Sequence, residues 1–232
     1  MKKYRIYFLS HSGFILETAD RLLVFDYDAD PEDVLGKLLN ETRKKLYFFV
    51  SHFHRDHFNP GIGQFENRCS GYFIHSDCHL NLNSKNLLHP MQVGDSEEWD
   101  EMRIHMYGST DAGGSFWIKC SGLSIFHAGD LNWWHWAGEK DEDNAAAKLL
   151  FFHELEKIKE REVDILFFPV DERQQVAREW GVKAILHHIK AELLVPMHAF
   201  GRNWVPSYEF RWSFREQKIW IPRKNGDVRE GV

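Results

Sequence analysis

His52-Phe53-His54-Arg55-Asp56-His57 follows directly on the apolar run Leu46-Tyr47-Phe48-Phe49-Val50-Ser51. The run is too short for a helix and too apolar for a half-exposed strand, so it reads as a strand buried on both faces. Asn59-Pro60-Gly61 marks a turn immediately beyond it. Four of the six residues from His52 to His57 are metal-ligand types. Neutral imidazole and carboxylate are the donors that borderline divalent ions such as zinc favour. A tight turn at a strand end aims several such side chains at one point, which a straight strand cannot do. The spacing is dense enough to seed two adjacent metal positions.

Outward from this stretch, acids and a further histidine close other apolar runs. Arg21-Leu22-Leu23-Val24-Phe25 ends in Asp26, and Leu123–His127 leads through Ala128-Gly129 to Asp130. Asp164-Ile165-Leu166-Phe167-Phe168-Pro169-Val170 is closed by Asp171, and Val195-Pro196-Met197 by His198. Strands are also expected at residues 4–9, 13–17, 71–75 and 103–107, with a hairpin pairing 115–119 and 123–127. Asp30-Pro31 reads as the cap and first turn of a helix bearing Val34, Leu35, Leu38 and Leu39 on one face. Further helices are expected over 144–160, 172–180 and 182–194. No linker or repeat divides the chain, so residues 1–232 are expected to form one α/β domain.

The His-x-His-x-Asp-His pattern, followed in order by the strand-closing Asp130 and His198, resembles the metallo-β-lactamase-fold superfamily of metallohydrolases, in its lactonase-like and phosphodiesterase-like branch. The resemblance spans the whole chain and implies a four-layer αββα sandwich with the metals at one edge, between the two sheets. It implies two divalent cations, zinc foremost. His52 and His54 would hold the first, Asp56, His57 and His198 the second, and Asp130 would bridge them, with Asp26 orienting the histidine loop. One motif departs from the family. Where a histidine for the first metal is usual, the chain reads Tyr107-Gly108-Ser109-Thr110-Asp111-Ala112-Gly113-Gly114-Ser115-Phe116. Asp111 is the candidate replacement, read equally well as an ordinary turn aspartate, and a carboxylate there admits manganese or iron.

Other residues have two readings each. His11, in Leu9-Ser10-His11-Ser12-Gly13-Phe14, matches an early turn of that branch near the metal edge, or is a structural histidine. Trp133-Trp134-His135-Trp136 walls the site and stacks a planar substrate group, or packs a core lid. Arg173, after Asp171, clamps a carboxylate or phosphate, or pairs locally at a helix start. His127, three residues before Asp130, is expected on the opposite face of its strand, in a structural role.

Composition narrows the function. With 35 acids against 29 bases the net charge is −6, which weighs against a broad nucleic-acid surface. No run approaches 18 apolar residues, so no membrane span is expected. Three cysteines without a CxxC pair, and a start that leads straight into a strand, fit a cytoplasmic protein. The resemblance implies a hydrolase in which metal-bound hydroxide attacks a small-molecule ester, lactone or phosphodiester, with Asp56 and Asp130 as catalytic residues. The alternatives are an RNA-processing nuclease and a non-catalytic metal- or ligand-binding member of the fold. Oligomeric state is not legible.

Overall fold

The computed structural model describes residues 3–231. In chain order the first elements are β1 (Tyr4–Ser10), β2 (Gly13–Glu17), β3 (Arg21–Phe25), α1 (Val34–Glu41), β4 (Lys45–Val50), β5 (Cys69–His75) and β6 (Leu88–Met91). There follow β7 (Ser96–Trp99), β8 (Met102–Gly108), β9 (Gly114–Cys120), β10 (Leu123–His127), α2 (Asp141–Lys157), β11 (Glu162–Pro169) and α3 (Trp180–His188). The last are β12 (Lys190–Met197), α4 (Tyr208–Ser213), β13 (Lys218–Ile219) and β14 (Val228–Gly231). They build two seven-stranded sheets, ordered β14-β1-β2-β3-β4-β5-β6 and β13-β12-β11-β10-β9-β8-β7.

Side-chain alternation stacks the layers. On β4, Tyr47 and Phe49 turn inward and join Phe116, Ile125 and Phe167 of the other sheet in one core. Leu46, Phe48 and Val50 turn the other way and pack on Val34, Leu35 and Leu38 of α1. On the far side Phe151 and Leu155 of α2 and Val182 and Ile185 of α3 join the same core as the second sheet. The result is the four-layer αββα sandwich of the metallo-β-lactamase type.

Strand direction decides where the chemistry sits. β3, β4 and β5 run parallel, as do β10, β11 and β12. Asp26, His52, Asp130, Asp171 and His198 therefore all lie just beyond carboxyl ends of parallel strands, where open α/β sheets hold their ligands.

Some local expectations are corrected. Pro31 lies in a turn ahead of α1, and Asp30 caps from further back, its carboxylate accepting from the Val34 and Leu35 amides at 2.8 Å each. The stretch after Asp171 is a 3₁₀ turn over Glu172–Ala177, broken by Gln175 at φ 54°. The helix expected to reach residue 194 stops at His188, because the buried run Leu193-Leu194-Val195 is drawn into β12 beside β11. β6, β7, β13 and β14 are short edge strands without a clear apolar alternation in the sequence. Cys69, Cys78 and Cys120 are buried free thiols, and burial pushes each up to about 12, which keeps them protonated.

Candidate metal centre

The loop after β4 is tied down from both sides. Asp26, buried and at φ 40°, accepts from the Ser51 amide and Ser51 hydroxyl at 2.7 Å each and faces His57 Nδ1 at 2.7 Å. The His57 and Phe58 amides close a turn on the His54 carbonyl. From the other sheet, the Gly114 amide donates to the Ser51 carbonyl at 3.1 Å. Gly113, at φ 64°, permits this approach, since a Cβ there would stand 2.1 Å from the Ser51 oxygen.

Within this frame three imidazoles have one nitrogen fixed and the other turned inward. His57 is held through Nδ1 by Asp26, and its Nε2 stands 3.2 Å from Asp130 Oδ1. His198 is held through Nδ1 by Asp171 at 3.2 Å, and its Nε2 stands 3.5 Å from Asp130 Oδ1. His52 contacts the Ser51 hydroxyl through Nδ1 at 2.9 Å, with Nε2 3.0 Å from His54 Nδ1 and 3.6 Å from Asp130 Oδ2. A carboxylate behind an imidazole fixes its tautomer and ring angle, as metal-binding histidines require.

The inward atoms fall into two clusters, each with donors within 4.8 Å of one another: His52, His54 and Asp130, and His11, Asp56, His57 and His198. His57 Nε2, His11 Nε2 and Asp130 Oδ1 are buried and make no hydrogen bond. Unpartnered donors of this kind cost stability unless something binds them. A cation fits this donor set.

The electrostatics agree. Burial would lower the His57 pKa, yet the facing carboxylates of Asp130 and Asp26 outweigh it and push it up to about 10. Burial lowers His52 to about 4, helped by the neighbouring His57. Burial and the nearby His198 and His57 lower His11 to about 3. For Asp130, burial is outweighed by His57, His198 and His52, which hold the carboxyl well below the usual range. Asp171 is likewise held at about 2 despite burial, by His198 and Arg173.

The cleft over these atoms holds about 400 Å³ and is walled by Trp134, Trp136, Phe200 and Arg173. Trp134 donates from Nε1 to the Asp130 carbonyl at 2.9 Å, lies 5.1 Å from the His198 ring and stacks on Trp136. The Arg173 guanidinium grips Asp171 through two nitrogens and lies over Phe200, 3.5 Å from the ring centroid.

The structure brings most of the sequence-predicted residues to one edge and turns others away. Asp111 lines the cleft but is exposed and belongs to neither donor cluster. Trp133 packs on Phe151, Phe152 and Trp180, and the His135 ring lies 4.7 Å from Trp180, so these two serve the α2–α3 side rather than the cleft. Chain turns between residues 132 and 136 split the aromatic run between two environments. His127 is buried behind the centre, between the Ser12 carbonyl at 3.1 Å and Asp26 at 3.8 Å. Phe200, an isolated aromatic after His198, carried no signal in the sequence. Four residues of this edge, His11, Asp26, His198 and Phe200, are non-glycine yet left-handed, at φ 44°, 40°, 64° and 43°. Each costs on the order of 1 kcal/mol, a strain that concentrates at functional sites.

No model of a known protein family matches the chain. A "UPF0173 metal-dependent hydrolase" of Alkaliphilus metalliredigens is 22% identical over 209 residues, covering 84% of each chain. Igni18, described as a novel metallo hydrolase from Ignicoccus hospitalis, superposes with a TM-score of 0.64 at 14% identity over 99% of both chains. The metallo-β-lactamase fold protein YhfI of Bacillus subtilis gives 0.62 at 14% identity over the full length of both. The chain thus shares the fold of these proteins, carries the His-x-His-x-Asp-His loop at the fold's edge, and is similar to a metal-dependent hydrolase.

Proposed function

We propose that this protein is a metal-dependent hydrolase that binds two divalent cations, zinc foremost, and cleaves a small anionic ester, lactone or phosphodiester. The observation that carries the reading is the pair of adjoining donor clusters with Asp130 facing both, its Oδ2 toward His52 and its Oδ1 toward His57 and His198. Imidazole-rich sets of this kind suit zinc, and the carboxylates also admit manganese or iron. Bound there, the cations supply Lewis acidity and lower the pKa of water toward neutrality.

The chain's own residues do the rest. Asp130 and Asp56 would hold the cations through their carboxylates, and His52, His54, His57 and His198 would hold them through imidazole nitrogens that give up their protons on binding. The Asp56 carboxylate is part-exposed in the cleft, where it takes the proton released by the attacking water and returns it to the leaving oxygen. Trp134 and Trp136 narrow the cleft and stack a planar substrate group. Arg173, rigidified by Asp171 and Phe200, faces a carboxylate or phosphate on the substrate. A cleft of about 400 Å³ fits a metabolite-sized substrate rather than a nucleic-acid strand.

Elemental analysis of protein purified without added metal, combined with a lactonase and phosphodiesterase panel, tests this. The expected result is two metal equivalents and turnover of an anionic small ester that His52→Ala removes. A metal-free protein, or activity that survives His52→Ala, overturns it.

A further inference from the structure

The two donor clusters are unequal. The first has three side chains, His52, His54 and Asp130, and where a third histidine would serve it the chain offers only the exposed Asp111. The second has four, His11, Asp56, His57 and His198, with Asp130 Oδ1 3.2 Å and 3.5 Å from two of its imidazoles.

We propose that His11 is itself a metal ligand, completing a three-imidazole position that is the tight one, while the His52/His54 position exchanges its ion readily. The proposal rests on reading the centre as a two-metal site.

Several observations place His11 in this role. Its side chain is only 8% exposed, and Nε2 lies 3.4 Å from Asp56 Oδ2 but makes no hydrogen bond. Its ring packs 4.4 Å from that of His198 and 5.3 Å edge-on to that of His57. Three imidazoles and a carboxylate crowded this closely, with the inward nitrogens of His11 and His57 unpartnered, form a cation cage rather than a hydrogen-bonded core cluster. The backbone is fitted to the purpose. β1 and β2 meet at a turn whose register shifts between Phe8 and Ser10, and His11 is forced left-handed at φ 44°. There the His11 carbonyl accepts from the His198 amide at 3.3 Å, so the turn of one sheet is fastened to the ligand strand of the other. From that turn the His11 ring is held against that of His198.

Loading order follows from donor number. Three neutral imidazoles plus carboxylates outbind two imidazoles and one shared carboxylate for a borderline ion. The His52/His54 position, with Asp111 outside its donor cluster, is thus the labile one, and the early turn adds its ligand to the other.

Metal-stripped protein is titrated with zinc against a chromophoric chelator, for wild type, His11→Ala, His11→Gln and Asp111→Ala. X-ray absorption of wild type loaded with one equivalent counts the imidazoles at the first-filled position. Circular dichroism of each stripped variant checks its fold. The expected result is two binding steps in wild type, three imidazoles around the first ion, and a first step weakened by at least about 10–100-fold in both His11 variants. Asp111→Ala is expected to keep the tight step. Two imidazoles around the first ion, or wild-type affinities in both His11 variants, overturn the assignment of His11 while leaving the two-metal centre standing. Wild type that takes up no zinc overturns both.

Discussion

The two ends of the sandwich carry buried charge in opposite ways. At the amino ends of β3 and β4, Arg21 and Lys45 meet Asp20 and Asp100. Arg21 donates to the Asp20 carboxylate, the Ser121 hydroxyl and the Asp100 carbonyl at 2.6, 3.1 and 2.6 Å, and Lys45 reaches Asp100 at 2.6 Å. Tyr47 donates to the same carboxylate. Cations and anions balance, and Asp100 bridges the sheets, so this end is a clasp. At the carboxyl ends of the same strands, Asp26, Asp56, Asp130 and Asp171 face imidazoles and one arginine, and several inward atoms have no partner. The first end pairs its charged groups with one another and leaves only the Arg21 Nε among them unpartnered. The other leaves donors free for a cation, while left-handed non-glycine residues occur at both ends, Asp100, Glu101 and Ser121 at the clasp and His11, Asp26, His198 and Phe200 here.

The difference can be broken from either side. The largest effect is expected from Asp130→Asn, which removes the carboxylate shared by both clusters. Hydrolysis should fall about 10³-fold, equivalent to ~4 kcal/mol of transition-state stabilisation, with substoichiometric metal by elemental analysis. Wild-type turnover in this variant would show that the open end is not the reactive one. Arg21→Ala, at the clasp, should cost about 2–3 kcal/mol in chemical denaturation. That is less than the roughly 3–5 kcal/mol for breaking a fully buried ion pair, because Asp20 and Asp100 reach solvent. Metal stoichiometry should be unchanged, and a loss of metal would join the two ends energetically.

Asp26→Asn sharpens the contrast, since it keeps the shape behind His57 and removes the charge. Metal affinity should drop about 10–100-fold with the fold retained, read by competition with a chelator. Equal affinity would reduce Asp26 to a loop anchor. The smallest effect is expected from Arg173→Ala. KM for an anionic ester should rise about 10-fold, or ~1.4 kcal/mol, while a neutral lactone is unaffected. An equal rise for both substrates would place Arg173 in packing, through Asp171 and Phe200, rather than in recognition.

How much of this was legible varies with how local the cause is. β4 and its histidine loop are written in consecutive residues, because a doubly buried strand and a ligand-dense turn each have a short-range signature. The end of α3 is not, since Val182–Leu194 mixes apolar and charged residues without a break at His188, and only pairing with β11 commits its second half to β12. The aromatic run was legible as a cluster but not as two faces, because chain turns at residues 132–136 are fixed by partners such as Gln174, which donates to the Trp133 and His135 carbonyls. Asp171 is a similar case. Its strand-end position was visible, but its place behind His198, 27 residues away, depends on the parallel pairing of β11 and β12.

By itself, the sequence determined the donor types and their strand-end positions, both properties of neighbouring residues. Only the tertiary structure decided which donors share a position, because that depends on two sheets meeting at one edge. His11 shows this most plainly. In sequence it is a lone histidine in a turn, 41 residues before the metal loop. In space, burial and the His198 amide fix it beside Asp56, with its nitrogen facing the other ligands.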